Sequence, residues 1–237
     1  MAKTFKHSGD LGDIIFALPA VRALGGGILY LDPDGGFSNS LVMKFADKIR
    51  TKLNAEAIES LKPLLLQQPY IQEVRHWHGE AVDYNLDEFR RHISFNNLSD
   101  SHLAAFGLPL GERDTAWLSV ADPIRVEGRP IVINRSVRYH GNYGFWESNL
   151  PQLKRFAIFV GYPKEHEIFQ YTFGHELPYF ATPDVLTLAR VIAGCEQFVG
   201  NQGLPHAIAE GLKKNLIHEM YRVYPSAVFQ RPGTRYV

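Results

Sequence analysis

Apolar positions along this chain fall into short runs separated by polar, glycine-bearing loops, and the runs alternate in character. Residues 4–6 read as the end of a strand that leads into the loop His7-Ser8-Gly9-Asp10-Leu11-Gly12-Asp13. Ile14, Ile15, Leu18, Val21 and Leu24 then recur at helical spacing, with Pro19 an anomaly among them, and Gly25-Gly26-Gly27 stops that helix. Residues 28–31 form a short apolar strand. Strand, glycine-containing loop, helix and strand together make the βαβ unit of a parallel sheet. Residues 38–68 carry helical patterning, clearest over 53–66. Residues 71–77 are a further strand after the turn Gln67-Gln68-Pro69. The segment 83–106 is polar, aromatic and partly helical, with Asp100-Ser101-His102 as a helix start.

The pattern begins again after residues 108–128, a stretch with Pro109, Gly111, Pro123 and Gly128 that reads as a linker. Residues 130–134 are a strand followed by a polar loop over 135–142, and 156–161 are a strand ending in glycine. Thr182-Pro183-Asp184 opens a helix over 185–193, with Thr182 as N-cap. Residues 197–200 form a strand, Gly203-Leu204-Pro205 opens a helix over 206–212, and 215–218 are a strand. This alternation predicts an α/β protein with two Rossmann-like parallel-sheet domains, an N-terminal one over 1–122 and a C-terminal one over 123–237.

Composition narrows the function. The 237 residues hold 25 Lys plus Arg against 25 Asp plus Glu, so there is no basic excess of the kind nucleic-acid binding rests on. Nucleic acid is therefore a subordinate partner class, for which Arg90-Arg91-His92 and the aromatics around 139–146 would be the contacts. One cysteine, Cys195, permits no intrachain disulfide and fits a reducing, cytoplasmic setting. The opening segment, broken by Asp10 and Asp13, does not read as a signal peptide, and no run of about 18 apolar residues predicts a transmembrane segment.

Ligands of open parallel sheets bind beyond the carboxyl ends of strands, and three loops there are chemically loaded. In the first, Gly9 and Gly12 permit close backbone approach and positive φ, while Asp10 and Asp13 either cap the helix or accept a proton from, or bind, a sugar hydroxyl. It is neither GxGxxG nor a P-loop. In the second, Asn134, Arg135, Ser136 and Arg138 make an anion site or a solvated basic loop. In the third, Gly200, Asn201, Gln202, Gly203 and His206 join a strand to a helix N-terminus, which suits a diphosphate or an ordinary βα turn. His76, His78 and His166 have no zinc spacing and HExxH is absent, so no metal is expected. Cys195 lacks an adjacent base and reads as a core residue, and no GxSxG elbow occurs.

Two of these segments carry a resemblance. HSGDLGDIIFALPAVRAL, from His7, resembles the opening of the heptosyltransferase-like glycosyltransferase family 9. FVGYPKEHEIF and TPDVLTLARVIAGCEQFVGNQGLPHAIAEGL resemble its strand-glycine-acid and GNDSGxxHxAAAL segments. The likeness covers residues 5–24 and 157–212, and Gln202-Gly203 departs from the acid-Ser-Gly pattern. It implies a GT-B fold with a central cleft and a metal-independent transfer of sugar from a nucleoside-diphosphate sugar to a glycan or other hydroxyl acceptor, without a cofactor. It also implies that Asp13 is the general base, that Gly200, Asn201, Gln202, Gly203 and His206 hold the donor diphosphate, and that Arg135 or Arg138 neutralises it. The competing expectations are a catalytically inactive nucleotide- or glycan-binding protein of the same fold and a sugar-nucleotide epimerase.

Overall fold

A computed structural model describes residues 2–35, 53–93 and 97–237 of the chain. The chain divides into two units, Met1–Ser119 and Val120–Val237. The part of the predicted helical stretch that covers 38–52 lies outside the described residues.

The first unit runs β1 (Lys3–His7), α1 (Leu11–Ala23), β2 (Gly27–Leu31), α2 (Ala55–Leu65), β3 (Ile71–His76) and β4 (Tyr84–Asn85). A 3-10 segment (Leu86–His92), α3 (Leu98–Ala105) and a 3-10 turn (Leu110–Arg113) follow. Its sheet has the order β3-β2-β1-β4 with every pair parallel. In α1, residues 14–21 are all buried, Pro19 included, and Leu29 and Leu31 of β2 and Phe5 of β1 complete that part of the core. The second unit runs β5 (Ile131–Asn134), α4 (Tyr143–Leu153), β6 (Ala157–Phe159), α5 (Pro163–Phe173) and α6 (Val185–Gly194). It ends with β7 (Gln197–Asn201), α7 (Leu204–Gly211), β8 (Asn215–Glu219) and β9 (Thr234–Tyr236). Its order is β6-β5-β7-β8-β9, again parallel throughout. Val132, Ile133, Ile158, Phe159, Phe198 and Val199 are all buried. Near-continuous apolar strands of this kind are what a sheet covered on both faces requires. Trp146, Leu150 and Phe169 cover Ile133, Phe159 and Val199 from the helices α4 and α5. Cys195 is buried at the end of α6, and burial pushes its thiol up to about 11.

The predicted fold class is the observed one, and several predicted boundaries move for identifiable reasons. Helix α3 starts at Leu98 rather than Asp100, because the Asn97 side chain accepts from the Asp100 amide at 2.8 Å and caps it. Asp184, not Thr182, caps α6 by accepting from the Thr187 amide at 2.6 Å, which leaves Pro183 outside the helix. Helices α4 and α5 and strand β9 were not legible as elements. The predicted linker is only partly a linker. Trp117 and Leu118 are buried, Arg22 donates to the Ala116 carbonyl at 2.7 Å, and the Ser119 amide donates to Gln68 at 2.9 Å. The exposed run starts after them and includes Gly128 at φ +69°.

Candidate active site

In each sheet the chain crosses to opposite sides of one strand pair, and those switch points leave a crevice at the strands' carboxyl ends. In the first unit this lies between β1 and β4, and in the second between β5 and β7. The loops after β1, β5 and β7 stand at these two places, which are where a parallel sheet offers space and helix N-termini to a ligand.

In the first unit, β1 delivers His7 to the sheet's end, and the chain turns through Ser8 and Gly9 into α1. Asp10 occupies the N-cap position, its carbonyl accepting from the Asp13 and Ile14 amides, but its side chain makes no capping bond. Asp13 lies in the first turn of α1 and is half-buried. Gly9 has neither positive φ nor room: a Cβ there would stand 2.6 Å from His7 Cε1 and 2.8 Å from Asp13 Oδ2. Its glycine is therefore a matter of close approach, since the His7 ring and the Asp13 carboxylate both take up the space of a side chain there. Gly12 is the second residue of α1, so the expected positive φ is absent there as well. Around this turn sits a charged group that sequence patterning did not single out. The Ser8 amide and hydroxyl donate to Asp87 at 3.0 and 2.8 Å. Lys6 bridges Asp32 at 2.9 Å and Asp87 at 3.0 Å, and Arg90 reaches Asp87 at 2.6 Å. Burial pushes the Asp87 carboxyl up, but His7, Lys6, Arg90 and Ser8 together hold it well below the usual carboxylate range.

In the second unit, the loop after β5 is fastened to the loop after β7. Asn201, fully buried, accepts from the Ser136 amide at 2.8 Å and donates to the carbonyls of Ser136 (3.2 Å), Arg138 (2.5 Å) and Tyr139 (3.4 Å). Tyr139 has φ +59°, a left-handed conformation unusual for a residue with a side chain, and Asn201 holds the carbonyls on both sides of it. The Ser136 hydroxyl donates to the carbonyls of Arg138 and Gln202 at 3.1 and 3.3 Å. A Cβ at Gly200 would collide with the Asn134 carbonyl, so this strand pair also depends on a bare backbone. Gly203 precedes α7 with extended backbone, and a Cβ there would meet nothing nearer than 3.8 Å. Asn134 donates to the Val160 carbonyl at 2.9 Å and to Glu165 at 3.3 Å. Burial raises the Glu165 carboxyl to about 7, against the Tyr162 amide, Asn134 and Arg138, which lower it.

Three predicted site residues occupy places that change their roles. Arg135 is buried and engages Glu219 through two bonds of 2.7 and 2.9 Å, its guanidinium 4.5 Å from the centre of the Tyr143 ring. Its fork is already turned to a carboxylate, whereas Arg138 is half-buried with its guanidinium 5.2 Å from the centre of the Tyr139 ring. His206 is fully buried with its ring centre 4.2 Å from that of His218, and burial keeps its pKa well below the usual histidine value. It packs in the core beneath the loop rather than offering a donor to a diphosphate. Asn201 ties down the loop with its whole side chain. Gln202 donates to Ser226 at 3.4 Å, and its buried Oε1 has no partner among the described residues.

No protein-family model matches the sequence, and no curated protein matches it either. Solved structures do. A glycosyl transferase of family 9 from Veillonella parvula is similar with a TM-score of 0.62 at 12% identity, over 99% of this chain and 86% of that one. The E. coli ADP-heptose lps heptosyltransferase II gives 0.53 at 12% identity, over 100% of this chain and 90% of that one. An E. coli heptosyltransferase solved with ADP gives 0.50 at 13% identity, over 100% of this chain and 92% of that one. The fold of two parallel-sheet units is thus that of GT-B heptosyltransferase structures.

Proposed function

We propose that this chain is a glycosyltransferase that moves a sugar from a nucleoside-diphosphate sugar to a hydroxyl acceptor, with Asp13 as general base. The observation that carries the reading is the position of the chemically loaded loops. Asp13 stands at the switch point of one sheet, and the Asn201-fastened loop with Arg138 and the start of α7 stands at that of the other. The similar heptosyltransferases solved with ADP or named for ADP-heptose support the donor class. On this reading the donor diphosphate lies over the amides that open α7, with Arg138 beside it, and Gln202 Oε1 accepts a donor hydroxyl. Asp13 takes the proton of the acceptor hydroxyl as its oxygen attacks the anomeric carbon, the bond to the diphosphate breaks, and the nucleoside diphosphate leaves. Helix dipole and guanidinium stabilise that leaving group, so transfer proceeds without a metal, in the cytoplasm. Residues 1–122 serve the acceptor and 123–237 the donor.

The test is a melting screen with nucleoside diphosphates and their sugars, with magnesium and with chelator, followed by transferase assays of the selected donor. A selective, metal-independent shift is expected, since ligand binding raises stability by mass action. Asp13→Ala is expected to keep that shift and to lose transfer by about 10²–10⁴-fold, the usual contribution of a positioned base. No shift with any nucleotide would sink the reading. A shift without turnover over a broad set of acceptors would leave a nucleotide-binding protein of the same fold.

A further inference from the structure

Behind the Gly9 turn lies a buried pair of histidines whose hydrogen bonds admit one arrangement of protons. The Gly9 amide donates to His7 Nδ1 at 2.8 Å, so that nitrogen carries no hydrogen. His102 Nδ1 faces the Leu98 carbonyl at 2.7 Å and can only donate to it. The two Nε2 atoms are 3.1 Å apart, and one must donate to the other. With His102 already protonated at Nδ1, its neutral ring accepts at Nε2, so the donor is His7 Nε2. The chain of bonds therefore runs from the Gly9 amide through both rings to the helix carbonyl of Leu98. Both rings are fully buried, and Phe89 stacks on each, 5.7 Å from His7 and 4.2 Å from His102.

We propose that His7 and His102 form a tautomer-locked pair that fixes the Gly9 turn, making His7 a positioning residue for Asp13. Gly9 transmits the constraint because the His7 ring and the Asp13 side chain both fill the place its own Cβ would take, so the turn, the ring and the carboxylate fit only together. A ring protonated at His7 Nδ1 would point a hydrogen at the Gly9 amide, and the turn would have to move away, carrying the surface against which Asp13 rests. The groups facing His7 are Lys6 on its own strand, Asp87 and Arg90 on the 3-10 segment, and His102 on α3. Asp87 Oδ1 is 3.8 Å from His7 Nδ1, and Lys6 and Arg90 hold that carboxylate at 3.0 and 2.6 Å. The aspartate's charge is thus met by two permanent cations beside the imidazole. The role in transfer rests on the reading of Asp13 as base; the proton arrangement does not.

Long-range proton–nitrogen spectra of the histidine-labelled full chain test the pair directly. Between pH 5 and 8.5, His7 is expected as the neutral ring protonated at Nε2 and His102 as the neutral ring protonated at Nδ1. His102→Gln keeps an acceptor for His7 Nε2 and is expected to leave the His7 tautomer and the Gly9 and Asp13 amide resonances in place. His102→Leu removes the acceptor and is expected to mix the His7 tautomers, shift those amide resonances, and lower kcat at least tenfold with nucleotide binding unchanged. A cationic His7 at pH 7, an Nδ1-protonated His7, or a His102→Gln variant that behaves like His102→Leu would overturn the proposal. Full transfer by Asp13→Ala would remove the base assignment alone, and the resonances of Gly9 and Asp13 would still decide on the pair.

Discussion

Glu219, at the end of β8, collects donors from three parts of the second unit. Arg135 contributes two, Trp146 Nε1 one at 2.7 Å, and the amides of Gly141 and Asn142 one each at 2.8 and 3.0 Å. A buried carboxylate so surrounded is stable only as the anion, and removing it leaves the Arg135 charge buried and unanswered. Glu219→Ala is expected to destabilise the protein by about 3–5 kcal/mol in chemical denaturation. Burial alone would raise this carboxyl; the Arg135 bonds and charge, with Trp146 and the Asn142 amide, bring it below its ordinary 4.5. A depressed folded-state pKa gives stability that is complete above 4.5 and is lost as pH falls through the folded value. Melting curves should therefore drop on the acid side of 4.5, and less steeply in Glu219→Gln. Glu165 has the opposite sign. Its carboxyl rises to about 7 through burial, so its contribution is complete below 4.5 and is lost as pH rises towards and past 7. Glu165→Gln should leave melting at pH 4.5 unchanged and raise stability at pH 8, on the order of 3 kcal/mol from the width of that interval. An equal effect at both pH values would show that the ionised form is not what burial opposes.

At the scale of elements, the loop over residues 135–142 is shaped by Asn201 rather than by its own sequence. The left-handed Tyr139 costs on the order of 1–3 kcal/mol and persists because three neighbouring carbonyls are held by one amide group. Asn201→Asp keeps the acceptor for the Ser136 amide and loses every donor to the loop. It is expected to weaken nucleotide-sugar binding tenfold or more in calorimetry while the rest of the second unit stays folded. Unchanged affinity would mean that the loop does not contribute to the donor site. This arrangement also explains what could be read beforehand. The loops themselves were legible, because glycine and polar clusters between apolar runs mark strand ends. Which side chains face a ligand was not, since Arg135 is turned inward by a glutamate 84 residues away and Asn201 by a loop over 60 residues away. Helices α4 and α5 were hidden for a local reason. Pro151 interrupts the first, and the second presents Lys164, Glu165, His166 and Glu167 before its apolar face begins. Lys6, Asp32 and Asp87 come from three separate segments, and nothing in their spacing announces the meeting.

At the scale of the whole molecule, alternation of apolar runs was enough to give two parallel α/β units, because buried parallel strands leave little freedom in composition. The junction follows from packing. Trp117 and Leu118 belong to the first core, and the residues from 121 to 128 are mostly exposed before β5 begins. Among the described residues, limited trypsin digestion should therefore cut at Arg125, which is exposed within this stretch, before it cuts inside either sheet. Early cleavage inside either sheet would contradict the division. One further consequence attaches to Cys195, the single thiol of the chain, which is buried in the second unit and barely ionised near neutrality. A disulfide reagent in solution finds no thiolate until that half opens. The rate of its colour change is thus a stopwatch for the opening of one half of the molecule, already present in the natural sequence. If a nucleotide slows that clock, the factor by which it does so measures how tightly the second half alone grips it.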